Sequence, residues 1–164
     1  MRIVLLLLTA TTTVLAQTAP SLQFKGNQPL SKHAAIAPGP SPVTAAAGEK
    51  ISLFVDMTPN PGVHVYAPGA KDYIPVKLTL QAQSDVKAGK LSYPKSENVF
   101  FAPLNETVPV FQKAFRLTQE ATVAKNAKPG STISVAGTLD FQACDDKVCF
   151  VPESVPLTWT VTVK

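Results

Sequence analysis

Cys144 and Cys149 are the only thiols in the chain, and they sit together in the run Phe141-Gln-Ala-Cys144-Asp-Asp-Lys-Val-Cys149-Phe-Val-Pro152. The chemistry open to such a pair is thiol–disulfide exchange, which needs a thiolate with an open line of approach. Closing so short a loop contributes only about 2 kcal/mol in the chain-entropy picture, less than the same bond joining distant strands. A lone disulfide here is therefore a poor staple and a sensible place for a bond that must be reached and broken. Number and spacing alone leave the other reading open, a disulfide that merely pins a hairpin. Asp145 and Asp146 disfavour a thiolate and Lys147 offsets them only in part, so neither thiol is expected to be as acidic as that of a strong oxidant. The charges point towards a donor of electrons.

Other chemistries find little support. Two histidines, His33 and His64, do not make up the usual ligand count of a metal site, and two methionines with two cysteines argue against a dedicated copper site. His64, beside Tyr66, reads as a strand histidine held in a hydrogen bond. No Ser/His/Asp order, nucleotide-binding glycine loop or paired catalytic carboxylates stands out, and the thioredoxin-type Cys-x-x-Cys is missing. The exchange chemistry needs no bound cofactor.

The residues around the cysteines alternate as half-buried strands do. Upstream, Ile133, Val135, Leu139 and Phe141 point one way and Ser134, Thr138, Asp140 and Gln142 the other; downstream, Leu157, Trp159, Val161 and Val163 alternate with threonines. Asp145-Asp-Lys147 supplies turn chemistry between them, so the two runs are expected to pair as an antiparallel hairpin that brings the thiols together near its tip. In that register Cys144 falls on the polar face with Asp140 and Gln142, placing at least one sulfur near solvent. The orientation of Cys149 stays open, because Pro152 and Pro156 cannot donate to a ladder and are expected to bend the strand or put it on an edge.

The 164 residues are 45% hydrophobic, which suits one globular domain with its own core. Arg2, the apolar run Ile3 to Leu8 and the small residues ending at Ala16 read as a secretory signal peptide over 1–16, too short an apolar run to span a bilayer. A soluble, exported, monomeric protein with no stable membrane insertion after cleavage is expected, in a compartment that permits a disulfide. Residues 17–46, rich in Ala, Pro, Ser and Gly, read as a mobile leader ahead of a domain over 47–164, with His33 solvated and Phe24 or Leu30 available to dock. The net charge of +4 and pI near 9.1 come from scattered lysines without a basic cluster, which speaks against nucleic-acid binding.

Within the domain, strands are expected over Ile51 to Met57, Val63 to Tyr66, Tyr73 to Leu80, Val86 to Tyr93 with a break near Ala88-Gly89, and Val108 to Leu117. Ser96 to Glu106 reads as an irregular loop that carries Val99, Phe100, Phe101 and Leu104. These apolar residues either fold under the sheets as core or form a flap over the cysteine turn. Seven or eight short strands with hardly any helical period indicate an all-β sandwich.

Leu139-Asp-Phe-Gln-Ala-Cys144 and Cys149-Phe-Val-Pro152, with Gly62-Val-His-Val-Tyr-Ala-Pro68 and Leu91-Ser-Tyr-Pro94 upstream, resemble the N-terminal periplasmic domain of the thiol:disulfide interchange protein DsbD, a family also labelled disulfide bond corrector. The resemblance covers about Ala47 to Val163 and is most specific at the cysteine segment. It implies an immunoglobulin-like antiparallel β-sandwich in the periplasm, acting as a protein-disulfide reductase module in electron transfer and cytochrome c biogenesis. Its cysteine pair would receive electrons from a membrane-embedded carrier and pass them to thioredoxin-fold proteins. By position, it implies that Cys149 attacks and Cys144 resolves, that Tyr66 and His64 line the site, and that Phe100, Phe101 or Leu104 caps the sulfurs. The cysteine spacing is one residue shorter than in the best-known enterobacterial member. The chain ends at Lys164 with neither a transmembrane carrier nor a thioredoxin-like domain, so the electrons are expected to arrive from a separate protein.

Overall fold

A computed structural model describes residues 30–102 and 105–164. The expected signal peptide, Phe24 and the cap candidate Leu104 lie outside the described residues. Twelve strands and no α-helix occur among them.

The first sheet contains β1 (Ala34–Pro38), β3 (Lys50–Pro59), β9 (Phe115–Val123) and β6 (Val86–Ser92), in the order β1-β3-β9-β6. The second contains β2 (Val43–Ala45), β12 (Glu153–Val163), β10 (Thr132–Phe141) and β5 (Lys77–Leu80), in the order β2-β12-β10-β5. Their inward residues form one core: Leu53, Val55 and Met57 of β3 and Leu117 of β9 are buried with Val135 and Leu139 of β10 and Trp159 and Val161 of β12. Trp159 spans the two layers, its Nε1 donating to the Phe54 carbonyl oxygen at 3.3 Å. This is an all-β sandwich, with antiparallel pairing throughout except for β2 alongside β12.

The expected hairpin forms over its full length, from Thr132 opposite Thr162 to Phe141 opposite Glu153. Pro156 does not bend β12: it pairs with Thr138 on one side, and on the other β2 reaches only Val161 to Val163. Its missing N–H therefore faces a stretch that no strand of the sheet occupies. The break near Ala88-Gly89 is a register shift between Ala88 and Leu91 against β9. There the buried Gln119 amide donates to the carbonyl oxygens of Gly89 and Glu120, both at 2.9 Å.

Several expectations need correcting: the strands among the described residues number twelve rather than seven or eight, and the one expected over Tyr73 to Leu80 is only β5, Lys77–Leu80. The strands of the sandwich begin at Ala34, well before residue 47, because β1 and β2 are edge strands, where a proline-rich chain can pair through its backbone, burying Ala34 and Ala45 and resting Ile36 and Val43 partly against the core. His33 is not a free solvated side chain; its ring stacks on Phe150 with centroids 3.9 Å apart. The run Val108 to Leu117 is two strands, since the chain leaves β8 (Glu106–Phe111) and enters β9 in another sheet. The Ser96 to Glu106 segment is mostly strand: β7 (Glu97–Phe101) pairs with β8 from Glu97 opposite Val110 to Phe101 opposite Glu106.

β7 and β8 belong to a third, smaller sheet with order β11-β4-β8-β7, where β4 is His64–Tyr66 and β11 is Ala143–Cys144. It has its own apolar cluster of Tyr66, Val108, Val110 and Cys144, against which Val99 and Phe101 pack. The two cysteines are reached through this sheet.

Candidate functional site

The chain leaves the main sandwich after Phe141, crosses at Gln142, and pairs Ala143 with Val65 and Cys144 with His64. This crossing cancels the alternation inherited from β10. Both residues of β11 are buried, so Cys144 is only 1% exposed and does not lie on the polar face. Cys149, by contrast, is an exposed residue.

The turn between them is closed from several sides. Asp145 Oδ1 accepts from the backbone N–H groups of Lys147 and Val148, both at 2.8 Å. The Asp145 N–H donates to the Val148 carbonyl at 3.0 Å, and the Phe150 N–H to that of Ala143 at 2.9 Å. The two N–H bonds to its carboxylate hold Asp145 below its ordinary value, the Val148 N–H contributing most. Together the bonds of the turn set Cys144 and Cys149 opposite one another with Cα atoms 4.0 Å apart and the sulfurs bonded.

The disulfide forms one wall of a cavity of about 170 Å³ whose other walls include His64, Tyr66, Tyr73 and Phe101. The Tyr66 hydroxyl lies 3.4 Å from Cys149 Sγ; a disulfide sulfur carries no proton, so the phenol is the donor. The Tyr66 ring stacks on Tyr73 at 4.1 Å, and the Tyr73 hydroxyl donates to Glu106 Oε1. Burial pushes the Tyr66 phenol up, and the hydrogen bond that Tyr73 donates to the Glu106 carboxylate holds the Tyr73 phenol far above its usual range. Both phenols thus keep their protons and serve as donors.

His64 is 2% exposed, and its ring is held edge-on by Tyr66 (centroids 5.4 Å apart) and tilted against Phe101 (4.9 Å). The expected hydrogen bond is missing at Nε2, which is buried without a partner. Burial lowers the pKa of His64, against the opposing pull of the Asp146 and Asp145 carboxylates. Among the described residues no group of three or more His, Cys, Asp or Glu is placed to hold a metal ion.

The strand alternation of β7 separates the two phenylalanines offered as caps. Phe101 turns inward onto the cysteine cluster, whereas Phe100 is 59% exposed on the other face. Tyr73 and Glu106 were not singled out by the sequence, where Tyr73 reads as the start of a strand and Glu106 as the end of a loop. A tyrosine in a polar, Gly- and Pro-flanked stretch is the one signal that would have drawn notice to the first.

The family model described as thiol:disulfide interchange protein DsbD, N-terminal, matches residues 32–158. No curated protein sequence matches the chain. Among solved structures, the chain is similar to the N-terminal periplasmic domain of ScsB from Proteus mirabilis, with TM-score 0.54, 14% identity, and coverage of 80% of this chain and 48% of that one. It is also similar to the DsbD N-terminal domain of Neisseria meningitidis in the reduced form, with TM-score 0.42, 18% identity, and coverage of 70% and 77%. The first likeness supports the sandwich fold seen here; the family match takes in both cysteines, the β4 strand beneath them and most of the chain, and this protein belongs to the family of DsbD N-terminal domains.

Proposed function

We propose that this protein is an exported thiol–disulfide interchange module of the periplasm. Its Cys144/Cys149 pair cycles between dithiol and disulfide, taking electrons from a transmembrane carrier and passing them to thioredoxin-fold proteins. The observation that carries this reading is the asymmetry of the pair, one cysteine exposed at the tip of a turn and the other buried against β4.

In the reduced protein, Cys149 as thiolate attacks a disulfide of the acceptor. One acceptor sulfur leaves as thiolate, and a mixed disulfide joins Cys149 to the other. Cys144, as thiolate, then attacks Cys149 Sγ and expels the second acceptor sulfur. The acceptor is reduced by two electrons to its dithiol, and Cys144–Cys149 is oxidised to the disulfide. Tyr66 supports the Cys149 sulfur, His64 lines the cavity, and Phe101 caps it. Val148, 54% exposed beside Cys149, gives an arriving protein an apolar landing point.

The experiment is trapping. Cys144→Ser removes the resolving thiol, so a mixed disulfide with a thioredoxin-fold protein should accumulate on non-reducing gels and disappear with reductant. A folded variant that traps none would favour a β-sandwich binding or structural domain with a permanent hairpin disulfide.

A further inference from the structure

We infer that His64 is the base that takes the proton from Cys144 in the resolving step, an inference that rests on the interchange reading of the cysteine pair. Cys144 is 1% exposed, so its thiol cannot hand its proton directly to bulk water once the mixed disulfide has formed on Cys149. An apolar surrounding makes a buried thiol harder to ionise. The step therefore calls for a proton acceptor inside the fold.

His64 is the direct cross-strand partner of Cys144. Opposed residues of an antiparallel pair project from the same face with Cβ atoms about 4.5–5.5 Å apart. His64 also lines the same cavity as both cysteines. Its Nε2 is buried with no hydrogen-bond partner, an arrangement rare enough in folded proteins to call for a reason. Tyr66 and Phe101 clamp the ring from two sides, so it cannot swing out to find one.

With the proton on Nδ1, the Nε2 lone pair is free to accept. The groups around the ring favour this use. Burial keeps the resting imidazole neutral, while Asp145 and Asp146 on the cysteine turn stabilise the imidazolium formed when the proton arrives. Lys147 on the same turn opposes that charge, and the Tyr66 and Tyr73 phenols remain neutral, Tyr73 tied to the Glu106 carboxylate. In the step itself the Cys144 S–H bond breaks and its proton passes to Nε2. The thiolate electron pair forms the bond to Cys149 Sγ, the bond from Cys149 to the acceptor sulfur breaks, and that sulfur leaves as thiolate. The imidazolium then loses its proton to solvent or to the departing sulfur.

Reaction of the fully reduced protein with one equivalent of dithiobis(nitrobenzoate) isolates this step without a protein partner. Attack by Cys149 releases a first nitrothiobenzoate anion, and resolution by Cys144 releases the second. In His64→Gln the second release should slow at neutral pH by about tenfold or more, the lower part of the range for general base catalysis, and recover as pH rises. Added imidazole should restore it in His64→Ala. A second release that keeps its wild-type rate and pH profile in His64→Gln, or that imidazole leaves unchanged in His64→Ala, overturns the inference. A protein that traps no thioredoxin-fold partner yet shows the histidine-dependent second release overturns the relay and leaves His64 its role. Normal trapping with a histidine-independent second release does the reverse, and a pair that resists reduction overturns both.

Discussion

The Tyr66 hydroxyl donates to Cys149 Sγ across 3.4 Å, so the exposed cysteine of the pair is supported from inside the fold by a phenol that keeps its proton. On reduction the same phenol faces a thiolate, and a hydrogen bond to the charged form favours it. In a Cys144→Ser background, Tyr66→Phe should move the pH–rate profile of Cys149 alkylation to higher pH and slow the reaction at pH 7. Hydrogen bonds to charged groups contribute about 1.5–3 kcal/mol, which sets the loss at roughly ten- to a hundredfold. An unchanged profile would reduce the contact to packing.

The two thiols should differ strongly in reactivity. Cys149 is exposed on the turn while Cys144 is enclosed by β4 and the inward side of β7. Thiol reactivity follows thiolate character and access together. Iodoacetamide should therefore modify Cys149 in Cys144→Ser at least about tenfold faster than Cys144 in Cys149→Ser. Equal rates would mean that the turn opens when the bond is broken.

Reduction should leave the sandwich folded. The turn retains the Asp145 bonds to Lys147 and Val148 and the Phe150-to-Ala143 backbone bond, none of which needs the disulfide. A loop this short contributes about 2 kcal/mol, which for a chain of this size corresponds to a fall of roughly 4–8 °C in Tm. Thermal unfolding followed by circular dichroism with and without reductant measures it. Collapse of the fold on reduction would be incompatible with a pair that cycles.

The sandwich was legible because its strands obey period two: Ile51 to Met57, Ile133 to Phe141 and Leu157 to Val163 each bury the residues their alternation marks. The site was harder to read for a physical reason. Alternation carries information only while a chain stays in one sheet, and at Gln142 the chain changes sheets, which is why Cys144 points inward. The β1 and β2 strands were hidden by composition, since edge pairing through the backbone needs few large side chains. His64 and Tyr66 could be named from the family resemblance, but the missing partner at Nε2 and the Tyr73–Glu106 bond are properties of three-dimensional packing alone.

Phe101 and Phe100 make a matched pair for testing the cap. Phe101 packs on the cysteine cluster and against His64, while Phe100 points to solvent. Phe101→Ala should open the cavity and speed reduction of the disulfide by glutathione several-fold, because access to the sulfurs governs exchange. Phe100→Ala should leave that rate near wild type. Equal effects of the two would remove the inward face of β7 as the shield.

Acidification should weaken the fold in two separate windows. His64 has a folded-state pKa below its ordinary 6.5, so the unfolded chain binds the proton more readily and stability rises with pH. Its contribution is fully present above about pH 6.5 and is lost as pH falls from there through the folded-state value. Asp56, held down by Arg116, and Asp145, held down by backbone N–H groups, act lower: their contributions are present above 3.8 and are lost as pH falls below it. Denaturant midpoints measured from pH 8 to pH 3 should thus fall first between 6.5 and the acid limb in the wild type. In His64→Gln that first fall should be missing while the acid limb remains. If the two proteins trace the same curve through the upper window, the histidine is not held neutral by burial beside the cysteines.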